Sequence, residues 1–357
     1  MPIQGLVRYR KHQFGRQSVF GTKVAATRAY PFSGTPDVEL NWTDPEVDTG
    51  SRVITIAPHR EAPDLSASLE MPSLRYNDLP LLLSAFFGGN VAPSGGGAAQ
   101  TWPYAPAATT VDEFDLFTYE FGDDVLTDWY QFGDGILESI EFTGPEGLGA
   151  LTASASWRFG SVSSTGSTDA PVTGTVPTPA LAVAVNDAVV YLKDIGIYIA
   201  STEAGLAAGQ ILDALHTFTL RFTHEPDQKR FANGDQSFDL DAYGAGPITV
   251  ELEATFAKTD DTVGTGSESD AWMSDQAVDR YVRLASTSTV MAEGATPYSW
   301  ISAMPMRYYT REEGEINGNT TIVLTGRAFY DPVDFAGYFT SDIVNTLTEE
   351  DLGVIGS

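Results

Sequence analysis

The residue types able to do chemistry are sparse in this chain, and their spacing serves none of the common reactions. Histidine occurs at His12, His59, His216 and His224, without the short spacing of metal ligands; each is expected to be solvated or hydrogen-bonded. Cysteine is absent, which excludes a disulfide framework and a thiolate metal site. Residues 238–246, FDLDAYGAG, have the look of a calcium loop, but Tyr243 stands where an oxygen ligand is needed and no bidentate glutamate follows. A β-turn is expected there. Asp123 with Asp124, or Glu138 with Glu141, have the chemistry of a glycosidase acid and base, yet among 48 acids proximity in sequence carries no weight. No Gly-x-Ser-x-Gly elbow occurs. The glycines at 95–97 and in GPEGLG lack the strand-to-helix setting and the lysine of a phosphate loop. The expectation is a non-enzyme with no catalytic residue, no metal and no cofactor.

Charge is more informative than any motif. The net charge is −28, but residues 1–28 carry Arg8, Arg10, Lys11, Arg16, Lys23 and Arg28 and no acid. Residues 76–157 carry twelve acids, all but Asp78 from residue 112 onward, and neither lysine nor arginine. Outside the first 28 residues the body repels phosphate, which argues against nucleic-acid recognition. A basic arm facing an acidic body suits a head-to-tail contact between copies; acidity also serves solubility or a salt-adapted host.

The elements that must carry these charges are mostly strands. Tyrosine, phenylalanine, threonine and valine are plentiful and glycine and proline punctuate them, so the expected class is α+β, mainly β. The N-terminus is basic without a following apolar run, and nowhere do 18 apolar residues follow one another, so neither a signal peptide nor a membrane span is expected. In RYNDLPLLLSAFFGG, residues 75–89, Asn77 is a potential N-cap, Asp78 suits the helix start and Pro80 falls in the first turn. Leu79, Leu82, Leu83, Phe86 and Phe87 then form an apolar stripe, ended by Gly88 and Gly89. A second helix is expected in MSDQAVDRYVRLAS, with Ser274 as N-cap and a stripe of Val278, Tyr281, Val282 and Ala285.

Residues rich in Ser, Thr, Gly and Pro at 163–180 read as a linker and divide the chain. Its sections are a basic arm (1–30), a first domain (31–162), a second domain (181–332) and a short acidic C-terminal arm (333–357). The two domains offer the same order of strands, polar loop and helix, which predicts a duplication. In each, one strand alternates cleanly. Leu65, Ala67 and Leu69 oppose Asp64, Ser66, Ser68 and Glu70; Ile248, Val250, Leu252, Ala254 and Phe256 oppose Thr249, Glu251, Glu253 and Thr255. One face of the sheet is oily and is what the helices cover. The other is hydroxyl and carboxylate.

Three stretches carry a resemblance to a known family: LSASLEMPSLRYNDLPLLLSAFFGG, FDLFTYEFGDD with DWYQFGDGILESIEFTGPEGLG, and the arm RYRKHQFGRQSVFGTK. Together they make most of the chain resemble the major tail proteins of long-tailed, non-contractile bacteriophages, which form the tail tube. The resemblance implies two tandem tail-tube-like domains, each a β-sandwich or half-barrel with a flanking helix, assembling into a ring-shaped continuous β-barrel. Rings would hold three chains with pseudo-sixfold symmetry, stack helically, and contact tape measure and tail-tip or terminator proteins. The protein would be assembled in the host cytoplasm and reside in the virion tail. Double-stranded DNA would pass transiently through a negatively charged lumen lined by Asp64, Ser66, Ser68, Glu70, Thr249, Glu251, Glu253 and Thr255. Contacts between subunits would come from Arg8, Arg10, Lys11 and Arg16, and from loops bearing Asp44, Glu46, Asp48, Asp227, Lys229 and Arg230. No immunoglobulin-like decoration is expected. The competing reading is a soluble acidic β-sandwich binding module from a high-salt environment, with Trp102, Tyr104, Trp129 and Tyr130 as a carbohydrate platform; an acid/base hydrolase is the third.

Overall fold

The structure, a computed structural model, describes residues 10–39, 42–43, 59–60, 64–89, 91–95, 97–105, 114–123, 128–164, 181–184, 187–207, 210–211, 215–229, 242–244, 246–258, 279–335 and 337–353. In the first half β1 is Arg10–Gln17, β2 Arg28–Tyr30, β3 Ser33–Glu39, β4 Trp42–Thr43, β5 His59–Arg60 and β6 Asp64–Met71. Helix α1, Leu79–Phe87, precedes β7 Gln100–Tyr104, β8 Leu116–Asp123, β9 Asp128–Gly144, β10 Thr152–Arg158 and β11 Ser161–Ser164. In the second half β12 is Ile195–Ala200, β13 Gln210–Ile211, β14 Leu215–His224, β15 Asp227–Lys229, β16 Ala242–Gly244 and β17 Ile248–Ala257. Then come β18 Asp279–Glu293, β19 Thr296–Ile316, β20 Asn319–Ala328, β21 Thr340–Asn345 and the one-turn helix α2, Glu349–Leu352.

These strands pair antiparallel and follow one order twice. β3 pairs β6, β6 pairs β10 and β10 pairs β9; likewise β14 pairs β17, β17 pairs β20 and β20 pairs β19. The first part of β9 lies between β8 and β11, with β1 and β2 beyond β8. The first part of β19 lies between β18 and β21, with β12 and β13 beyond β18. Small hairpins, β4 with β5 and β15 with β16, occupy corresponding positions. One irregularity coincides as well: β9 skips Glu138 in pairing with β10 and β19 skips Tyr309 in pairing with β20. Bulges of this kind fix register. Matching them makes Arg158 equivalent to Arg327, Ser66 to Glu251, Glu141 to Glu312 and Asp37 to Arg221.

The halves are not separate bodies. β9 also pairs β14, from Ser139 opposite Thr223 to Gly144 opposite Phe218, so 17 strands belong to one large open sheet network. The expected arms need correcting on the same ground. Residues 10–30 are not a free arm, since β1 is hydrogen-bonded along its length to β8 and also to β2. Residues 340–345 are not one either: β21 lies between β19 and β7, strands from opposite halves.

Alternation builds the core. Leu65, Ala67, Leu69 and Met71 of β6 and Val250, Leu252, Ala254 and Phe256 of β17 are all buried on one side. Helix α1 sits against this oily face, and its whole circumference is buried rather than a single stripe. Phe86 and Phe87 pack on Phe222 of β14 at 5.8 and 5.4 Å between ring centroids, placing the helix over the junction of the two halves. Asp78 occupies the N-cap without a side-chain capping bond, and Asn77 instead donates to Asp187 and Thr346. The second expected helix is not formed where its stripe was read. Tyr281, Val282 and Ala285 lie on strand β18, while Ser274 and Val278 fall outside the described residues.

Candidate assembly surface

The polar face of the duplicated sheet is the largest surface of consistent chemistry. Asp64, Ser68, Glu70 and Glu253 are exposed, and Ser66, Thr249 and Glu251 are half-buried, as alternation requires of residues opposite a packed core. Thr255 departs from the pattern, being buried. The structure adds three arginines that the reading of this face as hydroxyl and carboxylate overlooked. Arg221 of β14 reaches across to Glu141 of β9, Nε to Oε2 2.8 Å, and Arg327 of β20 reaches Glu251 of β17, Nε to Oε1 3.1 Å. Arg158 bonds Glu138 and approaches Asp64 at 3.8 Å. Equivalence recurs in detail here: the two bulge residues each meet the equivalent arginine, Glu138 through an ion pair and Tyr309 through its ring, 5.8 Å from Arg327.

Glu138 and Glu141 therefore answer to different arginines. Carboxylates still outnumber cations on the face, so its net field is negative. Pairs this exposed are worth about 0–1 kcal/mol each.

The expected contact residues divide. Asp227 and Lys229 are exposed on β15 and Arg10 is exposed on β1, with its guanidinium 5.8 Å from the Phe121 ring; Lys11 is half-buried. Arg8, Asp44, Glu46, Asp48 and Arg230 lie outside the described residues. Arg16 is corrected: it is buried, donates to Val91 O at 3.2 Å and forms an ion pair with equally buried Asp115. A guanidinium buried inside its own subunit is not presented to another copy's surface.

The sugar platform is dismantled by burial. Trp102 and Tyr104 are inside the core, the indole donating to Leu347 O at 3.1 Å and the phenol meeting Ser84 Oγ at 2.9 Å. Trp129 and Tyr130 are half-buried on β9. The histidines have structural settings where their side chains are described. His12 is buried against Tyr119 OH, Nδ1 to oxygen 2.9 Å, and burial with help from Arg10 lowers its pKa to about 4. His224 is buried against Leu137 O, and burial lowers it too. Among the described residues no group of three or more His, Asp and Glu is placed to hold a metal ion, and no helix is long and apolar enough to cross a membrane.

Sequence reasoning missed the open strand edges, which only pairing partners reveal. Among the described residues β3 pairs β6 alone, and β19 beyond Tyr308 pairs β20 alone. These are the two edges equivalent to the strands that meet at the β9·β14 junction. No protein-family model matches the chain, and a search of curated proteins finds no relative.

Proposed function

We propose that this chain is a structural protein that polymerises into stacked rings, a tube whose lumen is lined by the polar face of the sheet. It would act as a virion tail-tube subunit, as the resemblance to major tail proteins implies. The observation that carries the reading is the β9·β14 junction: two copies of one strand order are already joined edge to edge within the chain, and among the described residues the corresponding edges stand open at both ends. A unit repeated by the same operation either closes into a ring or extends, and closure removes exposed edges. An acid-rich wall lets DNA slide without adhering. No catalytic group enters this account, because the polar side chains of the face neutralise one another or meet solvent.

Electron microscopy of concentrated protein tests the reading. Hollow stacked rings with three chains each are the expected result; dispersed monomers at every concentration and salt would count against it. In particles, Glu251→Lys with Glu253→Lys is expected to leave tubes intact and impair DNA delivery, and normal infectivity would remove these residues from the lumen.

A further inference from the structure

We infer that neighbouring copies meet through β3 of one chain and residues 310–315 of β19 of the next, in the register of the β9·β14 junction, and that this seam closes only when salt screens it. The inference rests on the ring reading above and adds the partner strands, their register and their control.

Register follows from the duplication. In the internal junction Glu141 is opposite Arg221 and Thr143 opposite Thr219. Replacing each residue by its equivalent puts Glu312 opposite Asp37 and Gly314 opposite Thr35. Glu312, Asp37 and Thr35 are all exposed, and both strands lack a partner on this side among the described residues. Where the internal junction has carboxylate against guanidinium, the seam thus has carboxylate against carboxylate. Glu39 and Glu315, exposed at either end of the same stretch, add to the repulsion. On the opposite face Arg311 and Lys258 are both engaged by Glu313, which leaves the acids in excess.

Edge β3 is also irregular in a way that discourages indiscriminate pairing. Pro36 removes a donor from β3, and Gly34, at φ 123°, approaches Ser68 O so closely that a Cβ would lie 2.4 Å from it. Proline and charge are what keep edge strands apart. Like charges directly opposite destabilise a ladder, and the repulsion shrinks as the screening length falls from about 10 Å at 0.1 M salt to about 3 Å at 1 M. Free subunits therefore stay apart at low salt and pair at high salt.

The absence of cysteine allows a clean test. Asp37→Cys with Glu312→Cys, oxidised in concentrated protein at high salt, is expected to give covalently linked copies on a denaturing gel, as cross-strand neighbours permit. Asp37→Cys with Arg311→Cys, one residue out of register, is expected to give none. Asp37→Arg restores the charge pattern of the internal junction and is expected to strengthen association at low salt about five-fold per seam. Assemblies seen by microscopy without the Asp37–Glu312 cross-link would overturn the seam and leave the conduit reading standing. An unchanged salt requirement in Asp37→Arg would overturn the screening. No assembly of the unmodified chain at any salt would overturn the conduit reading and the seam with it.

Discussion

The two halves of the chain share a strand order down to the position of a bulge, yet they place charge differently. Besides the open pair of Arg158 with Glu138, the first half takes charge inside. Arg16 and Asp115 are paired with side chains 1% and 0% exposed, Arg28 near the helix start pairs Asp187 from beyond the linker, and Asp78 is buried close to that second pair. The second half keeps its pairs outside, with Arg327 to Glu251 and Arg307 to Asp279 on open faces. Strand pairing depends on backbone and alternation, so it survives while side-chain content diverges. Buried charge, by contrast, commits every surrounding group.

Substitutions can break that contrast, beginning with the largest effect. Asp115→Ala leaves the Arg16 guanidinium buried and uncompensated, and is expected to lower stability by about 3–5 kcal/mol in denaturant unfolding. The same change at the exposed counterpart, Asp279→Ala, is expected to stay within about 1 kcal/mol; equal losses would erase the distinction. Leu82→Ala in α1 removes a fully buried side chain with helix and sheet on all sides, for an expected loss of about 2–5 kcal/mol.

Asp78 sharpens the comparison through pH. Burial lifts its carboxyl to about 7, with Arg28 and Arg75 pulling it down and Asp187 pushing it up, and neither oxygen makes a hydrogen bond of normal geometry. Unfolded, it titrates near 4. Between those values the folded state holds a proton that the unfolded state has lost, so this group's contribution to stability falls as pH rises from about 4 to 7 and is flat above. Asp78→Asn should remove that slope, raising stability by about 1–3 kcal/mol at pH 8 and by almost nothing at pH 4. An undiminished slope in thermal melts would place the titrating group elsewhere. The smallest effect belongs to Arg327→Ala, which should change stability by less than about 1 kcal/mol while leaving the register of β17 and β20 intact, as amide exchange would report.

What the sequence reveals here is what repeats with a short period. The strands at 64–70 and, apart from buried Thr255, 248–256 alternate and lie where the sequence places them, as does α1, because apolar residues mark the inward side. β18 was misread for an identifiable reason. Ser286 and Ser288 occupy inward, buried positions, the first bonded to Tyr76 OH at 2.7 Å; these hydroxyls erase the period of two, and the remaining Tyr281, Val282 and Ala285 mimic a helical stripe. Arg16 looked like one more basic arm residue because its partner lies 99 positions away. The polar face was legible as acid and hydroxyl on single strands, but its arginines come from strands whose adjacency no local pattern records. The order of elements read from the sequence matched α1 to a second helix where β18 runs; the repeated strand order, the coincident bulge and the open edges among the described residues emerge only from pairing.

Strand β21 has a consequence for how the molecule comes into being. It seats between β7 and β19, and Trp102 finds its acceptor at Leu347, 245 positions onward. During synthesis β7 must wait, with its outer edge unmated, until nearly the whole described chain has left the ribosome, and contacts this distant in sequence form slowly. The interval between the emergence of β7 and the arrival of β21 is when the nascent polypeptide most needs a chaperone's protection. A chain truncated before Thr340 would be held in that interval for good.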